Sequence, residues 1–149
     1  MQNLINFSEA VNLAFHTVGI LAGSEDTYVR TSTIAELLDV SEHHLQKVHQ
    51  RLAKMGIVRA VRGPKGGFCL NKPANSITLL EIYEAMEGPL HPNRCLLGRP
   101  NCQRQNCLLG TMVDQVNAIV LANLRTITVD QLAPIRNLMT PPIPSPVPL

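Results

Sequence analysis

The chain has 149 residues, 45% of them hydrophobic and only 3% aromatic, with no tryptophan, so any core is built from Leu, Ile, Val, Ala and Met. That length suits one domain, and that palette favours helix packed on helix. The formal net charge of +2 conceals a segregation: residues 1–40 carry one basic and five acidic side chains, 41–72 seven and one, and 73–149 five of each.

The middle segment, at +6, has the electrostatic footprint of a surface for nucleic-acid phosphates. No apolar run approaches the roughly 18 residues of a membrane span. "MQNLINFSEA" lacks the basic start and apolar stretch of a signal peptide, so a cytoplasmic protein with no membrane partner is expected. An enzyme is not expected either: there is no Ser/His/Asp order or paired-carboxylate constellation, and "GPKGG" lacks the strand-to-helix context of a phosphate cradle.

From Ser8 to Gly23, Val11, Ala14, Phe15, Val18, Leu21 and Ala22 recur at spacings of one to four, which predicts a helix capped by Ser8 and stopped at Gly23. A short helix is expected to start near Thr33, with Glu36 in capping-box spacing. "DVSEHHLQKVHQRLAKMG" then supplies a turn, Ser41 as N-cap, an apolar stripe at Leu45, Val48, Leu52 and Met55, and Gly56 as the stop. Two helices joined by a few residues, the second basic outside, make a helix-turn-helix.

"IVRAVRGPKGGFCL" follows, two strand-like runs around Gly63-Pro64 and Gly66-Gly67. It reads as a two-stranded ribbon with Arg59, Arg62 and Lys65 at or near its tip, in other words a wing. Another helix is expected at "SITLLEIYEAMEG", with Thr78 and Glu81 in capping-box spacing and Gly88 at its end. From Leu108 to Leu124 the apolar positions cover too wide an arc for a surface helix with one buried face. That helix is expected to bury one side against its own domain and another against a second copy, as a dimerisation helix. "TVDQLAPI" is a last helical segment, and the tail, with five Pro among its last nine residues, is expected to be extended and disordered.

The expected fold is therefore mainly α: a winged helix-turn-helix with a small two-stranded wing and a long C-terminal dimerisation helix. Its parts are a DNA-binding domain over 1–88, a cysteine loop over 89–107, the dimerisation and final helices over 108–138, and the tail over 139–149.

The loop holds Cys95, Cys102 and Cys107, while the fourth cysteine, Cys69, falls in the wing as a small buried hydrophobe. In a reducing compartment three clustered cysteines read as metal ligands or redox groups before disulfides. C-x6-C-x4-C is looser than a zinc knuckle, whereas a flexible loop of soft thiolates can wrap an iron-sulfur cluster. Arg94, Arg99 and Arg104 interleave with the cysteines and would offset thiolate and cluster charge.

Over about residues 1–135 the chain resembles the IscR and NsrR type (Rrf family) of iron-sulfur winged-helix regulators. The resemblance is carried by "FSEAVNLAFHTVGILA", "TIAELLDVSEHHLQKVHQRLAKMGIV", "RGPKGGFCL", "SITLLEIYEAMEG" and the three cysteines. It implies a homodimeric transcription regulator, with repression the expected mode, bound to a double-stranded DNA operator. A 2Fe-2S or 4Fe-4S cluster in the cysteine loop would report iron-sulfur supply, nitric oxide or redox state. The family pattern C-x5-C-x5-C is departed from here by a one-residue shift of the middle cysteine.

The resemblance also bears on the fourth ligand. Where some relatives place a histidine, this chain has Gly110, which cannot ligate. Others use a carboxylate of the partner chain's first helix, which matches Glu9; His16 and His91 are weaker candidates.

On the DNA side, His43, His44, Gln46 and Lys47 are expected to face the major groove, with Ser41 on a phosphate at the helix start. Gln46 stands where relatives carry a base-discriminating side chain, and Gln can pair with adenine. Arg59, Arg62, Lys65 and Gly66 would meet phosphates or the minor groove. Two rivals remain: a DNA-binding regulator with a zinc or free-thiol loop, and a cluster or electron carrier that does not bind DNA. The second leaves the basic segment without a role.

Overall fold

A computed structural model describes residues 5–24, 28–64, 66–99 and 106–135. The first helix, α1 (Glu9–Ala22), is capped by Ser8, whose hydroxyl accepts from the Val11 amide. It runs to Gly23 and buries Val11, Leu13, Ala14, Val18, Ile20 and Leu21, the central rod of the core. Residues 136–149, with the Pro-rich tail, lie outside the described residues.

The second helix, α2 (Thr31–Leu38), starts two residues earlier than its sequence suggests. Its N-cap is Arg30, which makes no side-chain capping bond, so the Thr33/Glu36 capping box is not what starts it. The cause is long-range: Val29 pairs antiparallel with Phe68 of the wing, which holds the backbone extended up to Arg30 and lets the helix begin directly afterwards. Asp39, at φ 53°, ends the helix in the left-handed region that Asp tolerates.

After Val40 comes α3 (Glu42–Lys54), capped by Ser41, whose hydroxyl accepts from the His44 amide. Its apolar stripe lands as the period predicts: Leu45, Val48 and Leu52 are buried, while Met55, just beyond the helix, is exposed. The wing is β1 (Val58–Val61) paired antiparallel with β2 (Gly67–Leu70), in the register Val58 to Leu70 through Val61 to Gly67.

A 3-10 turn (Ala74–Ser76) leads to α4 (Leu79–Glu87), capped by Thr78, which accepts from the Glu81 amide. Only half of the capping box forms, because the Glu81 carboxylate pairs instead with Lys72. Gly88 ends α4 at φ 84°. Beyond the loop, α5 (Leu108–Thr126) spans 19 residues, and the final segment is a 3-10 turn (Val129–Leu132) rather than an α-helix.

That last turn closes the domain. The Leu79 amide donates to Ile127 and the Val129 amide to Ile77, so Thr78 and Thr128 form a bridge that ties the end of α5 to the start of α4. Val129 is fully buried beside Ile77 and Ile82. Along α5 itself only Leu124 is buried. Val113, Val120 and Leu121 are half-buried, and Leu108, Leu109, Met112, Val116 and Ile119 are exposed. The wide apolar arc thus divides into a part turned to the domain and an outer stripe at helical spacing. Among the described residues, no helix is long and apolar enough to cross a membrane.

Candidate DNA-reading face and cysteine cavity

The burial of Leu45, Val48, His49 and Leu52 fixes which side of α3 faces out. His43, Gln46 and Lys47 are exposed and His44 half-exposed, as expected of a reading helix; Gln50, Arg51 and Lys54 continue the same outward side. Those last three follow from the helical period and share the exposed side of α3 with His43 and Lys47. The hydroxyl of Ser41 is engaged at the helix N-terminus, where His44 N–H donates to it at 3.3 Å. An anion at that N-terminus would meet the positive end of the helix.

His44 also meets α1. Its Nδ1 lies 3.4 Å from Oε1 of Glu9, so the carboxylate matched to a cluster ligand borders the reading face of its own chain. His16 Nδ1 donates to the Asn12 carbonyl at 2.7 Å, a bond internal to α1, and His91 is exposed in the loop.

In the wing, Arg62 is exposed in the turn, and Lys65 lies outside the described residues. Arg59 is not at the tip. It sits within β1 opposite Cys69, donates Nε–H to the Cys69 sulfur at 3.1 Å, and stands 6.0 Å from the Tyr28 ring centroid. Cys69 is accordingly half-buried and polar in its contacts, not the buried hydrophobe expected. Its side chain lies on the wing face that carries Arg59, where a charged donor reaches it. Gly66 and Gly67 are dictated by space: a Cβ would fall 2.1 Å from the Val61 carbonyl oxygen at the first and 2.4 Å from that of Val29 at the second. Neither backbone oxygen can withdraw without breaking the turn or the bridge.

Behind the wing, the His49 ring packs 4.4 Å from the Phe68 ring, with Nδ1 3.4 Å from Thr31 Oγ1. Its Nε2 is buried with no hydrogen-bond partner among the described residues. Burial disfavours the charged imidazolium and lowers the His49 pKa to about 4, so this ring packs as a neutral group.

Cys95 and Cys107 line one cavity of about 500 Å³, together with Arg94, Arg99, Gly110 and Asp114. Cys107 is the N-cap residue of α5 and makes no side-chain capping bond. Cys102 lies outside the described residues, and among those described no three His, Cys, Asp or Glu side chains group as a metal site.

The loop before Cys95 is fastened to α5. Arg94 donates to both oxygens of Asp114, with Nη2 at 2.8 Å, and Asn117 donates to the Asn93 carbonyl at 3.0 Å. The Arg94 hydrogen bonds and charge hold the Asp114 carboxyl below its ordinary range. Two soft sulfur donors on one cavity, one of them at a helix N-terminus that favours negative charge, suit iron and sulfide. At Gly110 a Cβ would stand 3.9 Å from the Cys107 sulfur, so position 110 borders the cysteine but offers no ligand.

A basic, outward-facing second helix with an attached hairpin defines a winged-helix regulator of the kind that binds DNA. The chain belongs to the Rrf2 family, described as iron-dependent transcriptional regulators, whose profile matches residues 7–134. The family is one of regulators and not of enzymes.

Among curated relatives, the chain is 34% identical over 110 residues to the HTH-type transcriptional regulator IscR of Pectobacterium carotovorum, covering 73% of this chain and 66% of that protein. It is 33% identical to IscR of Yersinia pestis over the same shares. The match thus spans just under two thirds of the length of these relatives. Similar solved structures include CymR, the global cysteine regulator of B. subtilis (TM-score 0.75, 23% identity, 87% of this chain and 97% of that one). Staphylococcus aureus CymR (0.68, 25%, 85% and 96%) and T. potens IscR (0.63, 23%, 87% and 87%) are also similar. They bear out the mainly helical winged-helix fold with its two-stranded sheet.

Proposed function

We propose that the chain is a homodimeric transcription regulator that binds a double-stranded operator through α3 and the wing and senses through a cluster held by Cys95, Cys102 and Cys107. The observation that carries this reading is the pairing, in one small domain, of a solvent-facing reading helix with a cavity onto which two loop cysteines open. His43, His44, Gln46 and Lys47 are the base-reading candidates, and Arg62, Lys65 and the backbone at Gly66 the wing contacts. Arg59 serves the wing from within β1. Repression is the expected mode, and a cytoplasmic location follows from the role.

The exposed stripe Leu109, Met112, Val116 and Ile119 supports dimerisation, since an apolar helix face at this spacing suits a second copy of itself. Two reading helices would then meet half-sites about one helical turn apart. A bound 2Fe-2S or 4Fe-4S cluster would supply a centre sensitive to iron-sulfur supply, nitric oxide or redox state. Glu9 of the partner is the candidate fourth ligand. The Arg94–Asp114 and Asn93–Asn117 contacts link the cysteine loop to α5, and hence to the dimer.

The test is anaerobic purification with visible absorption and iron and sulfide analysis, on the wild type and Cys102→Ala, followed by selection of DNA from a random pool. Stoichiometric iron and sulfide lost in the variant, together with an enriched sequence, support the reading. A colourless protein that takes up zinc, or no metal, after anaerobic reconstitution leaves a zinc or free-thiol loop on a DNA-binding chain. A brown protein that enriches no sequence points to a cluster carrier.

A further inference from the structure

The wing is attached to the helices by more than its own chain. Val29 and Phe68 exchange both backbone hydrogen bonds at 2.9 Å, a one-residue antiparallel bridge on the edge of β2. Phe68 in turn packs on the buried His49 of α3. These interactions hold the ladder one pair short of its closing pair Val61–Gly67 and leave the turn beyond it, from Arg62 onward, without a contact from them.

The tip has its own tie. Arg30 is the single Lys or Arg in the first 40 residues, outside the basic segment. It stands at the N-cap of α2 without contributing its side chain to the cap. Instead its guanidinium reaches a residue 34 positions away and donates Nη2–H to the Pro64 carbonyl at 2.7 Å, in the turn next to Arg62. A hairpin of two four-residue strands is too short to hold its own turn in one place, and a charged donor on a turn carbonyl is a comparatively strong restraint. A wing that must meet DNA at a set distance from α3 binds better when that distance is fixed beforehand.

We infer, resting on the DNA-binding reading above, that Arg30 is a positioning residue for the wing: through Pro64 it sets where the hairpin tip and Arg62 stand relative to the reading helix. Removing it leaves the Val29–Phe68 pair and the core intact, so the fold survives while the tip loses its place. Because the guanidinium is engaged with the wing, its contribution to DNA affinity passes through Arg62 and its neighbours.

The experiment is a double-mutant cycle with Arg30→Ala, Arg62→Ala and the pair, plus Arg30→Lys. The probe is a duplex selected from a random pool by the wild-type protein, titrated over a range of salt. Arg62→Ala should weaken binding and lower the salt slope by about 0.9 for each phosphate it no longer neutralises. Arg30→Ala should do likewise in the wild type, yet change affinity by no more than about twofold when Arg62 is already Ala. Arg30→Lys, which keeps one donor for the carbonyl, should recover most of the affinity.

In the free protein, hydrogen exchange at the Gly66 amide, which is bonded to Gly63 across the turn, should quicken in Arg30→Ala while Phe68 stays protected. Additive effects of the two substitutions would instead make Arg30 a separate phosphate-binding group, and unchanged exchange at Gly66 would remove the restraint; either overturns the inference alone. A wild-type protein that enriches no duplex overturns the reading and the inference together.

Discussion

Glu9 of α1 and His44 of α3 stand 3.4 Å apart, carboxylate oxygen to imidazole nitrogen, so one end of the core helix borders the face that would read DNA. A negative charge there repels phosphate. Glu9→Gln should raise the DNA affinity of the metal-free protein about two- to fivefold at low salt, fading as salt rises, because exposed charge pairs are weak and screened. Fluorescence anisotropy at two ionic strengths checks this. Iron analysis of the same variant checks the other proposed duty of Glu9, with lower cluster retention expected.

Buried His49 makes stability depend on pH. Its folded pKa, about 4, lies below the ordinary 6.5, so the unfolded chain binds the extra proton between those values. Its stabilising contribution is therefore complete above pH 6.5, falls as pH drops through that window, and is gone below about 4. The full loss is about 3 kcal/mol. Urea denaturation at successive pH values should show this slope, and His49→Phe, which cannot be protonated, should flatten it.

Two glycines of similar sequence appearance should behave in opposite ways. Gly67→Ala places a methyl against the Val29 carbonyl and should cost about 2 kcal/mol or more, with loss of the Val29–Phe68 bonds. Gly110→Ala meets only ordinary packing distances within α5 and should stabilise by about 0.5–1 kcal/mol. Thermal unfolding separates the two.

The dimer proposed for α5 makes a further prediction. Met112→Asp combined with Ile119→Asp puts two charges on the exposed stripe without touching the buried Leu124. Light scattering should report a folded monomer, and binding to a duplex with two half-sites should fall to that of a single half-site.

Elements set by local rules were legible in the sequence. The apolar stripe and Ser41 cap of α3, the glycine-rich wing turn and the Thr78 cap are each decided within a few residues. What escaped was decided by distant partners. The start of α2 follows from the pairing of Val29 with Phe68, and Arg30 reads as an isolated charge until Pro64 is placed beside it. Cys69 looks apolar because nothing in its neighbourhood announces that Arg59 lies across the ladder from it. Of the proposed cysteine site the sequence supplies the three cysteines and the structure adds that Cys95 and Cys107 open on one cavity, while the tie of this loop to α5 through Asp114 and Asn117 depends on partners 20 and 24 residues apart.

The bridge between Thr78 and Thr128 pins α5 at its C-terminal end, and Leu124, the one buried residue of that helix, lies close to the pin. A helix of 19 residues is about 28 Å long. It therefore runs from that pin beside α4 to the cysteine cavity at its other end, where Cys107 is the N-cap. By that length a rotation of roughly 10° about the pinned end would displace the Cys107 end by about 5 Å, so a shift at the cavity would correspond to a much smaller one where α5 meets α4.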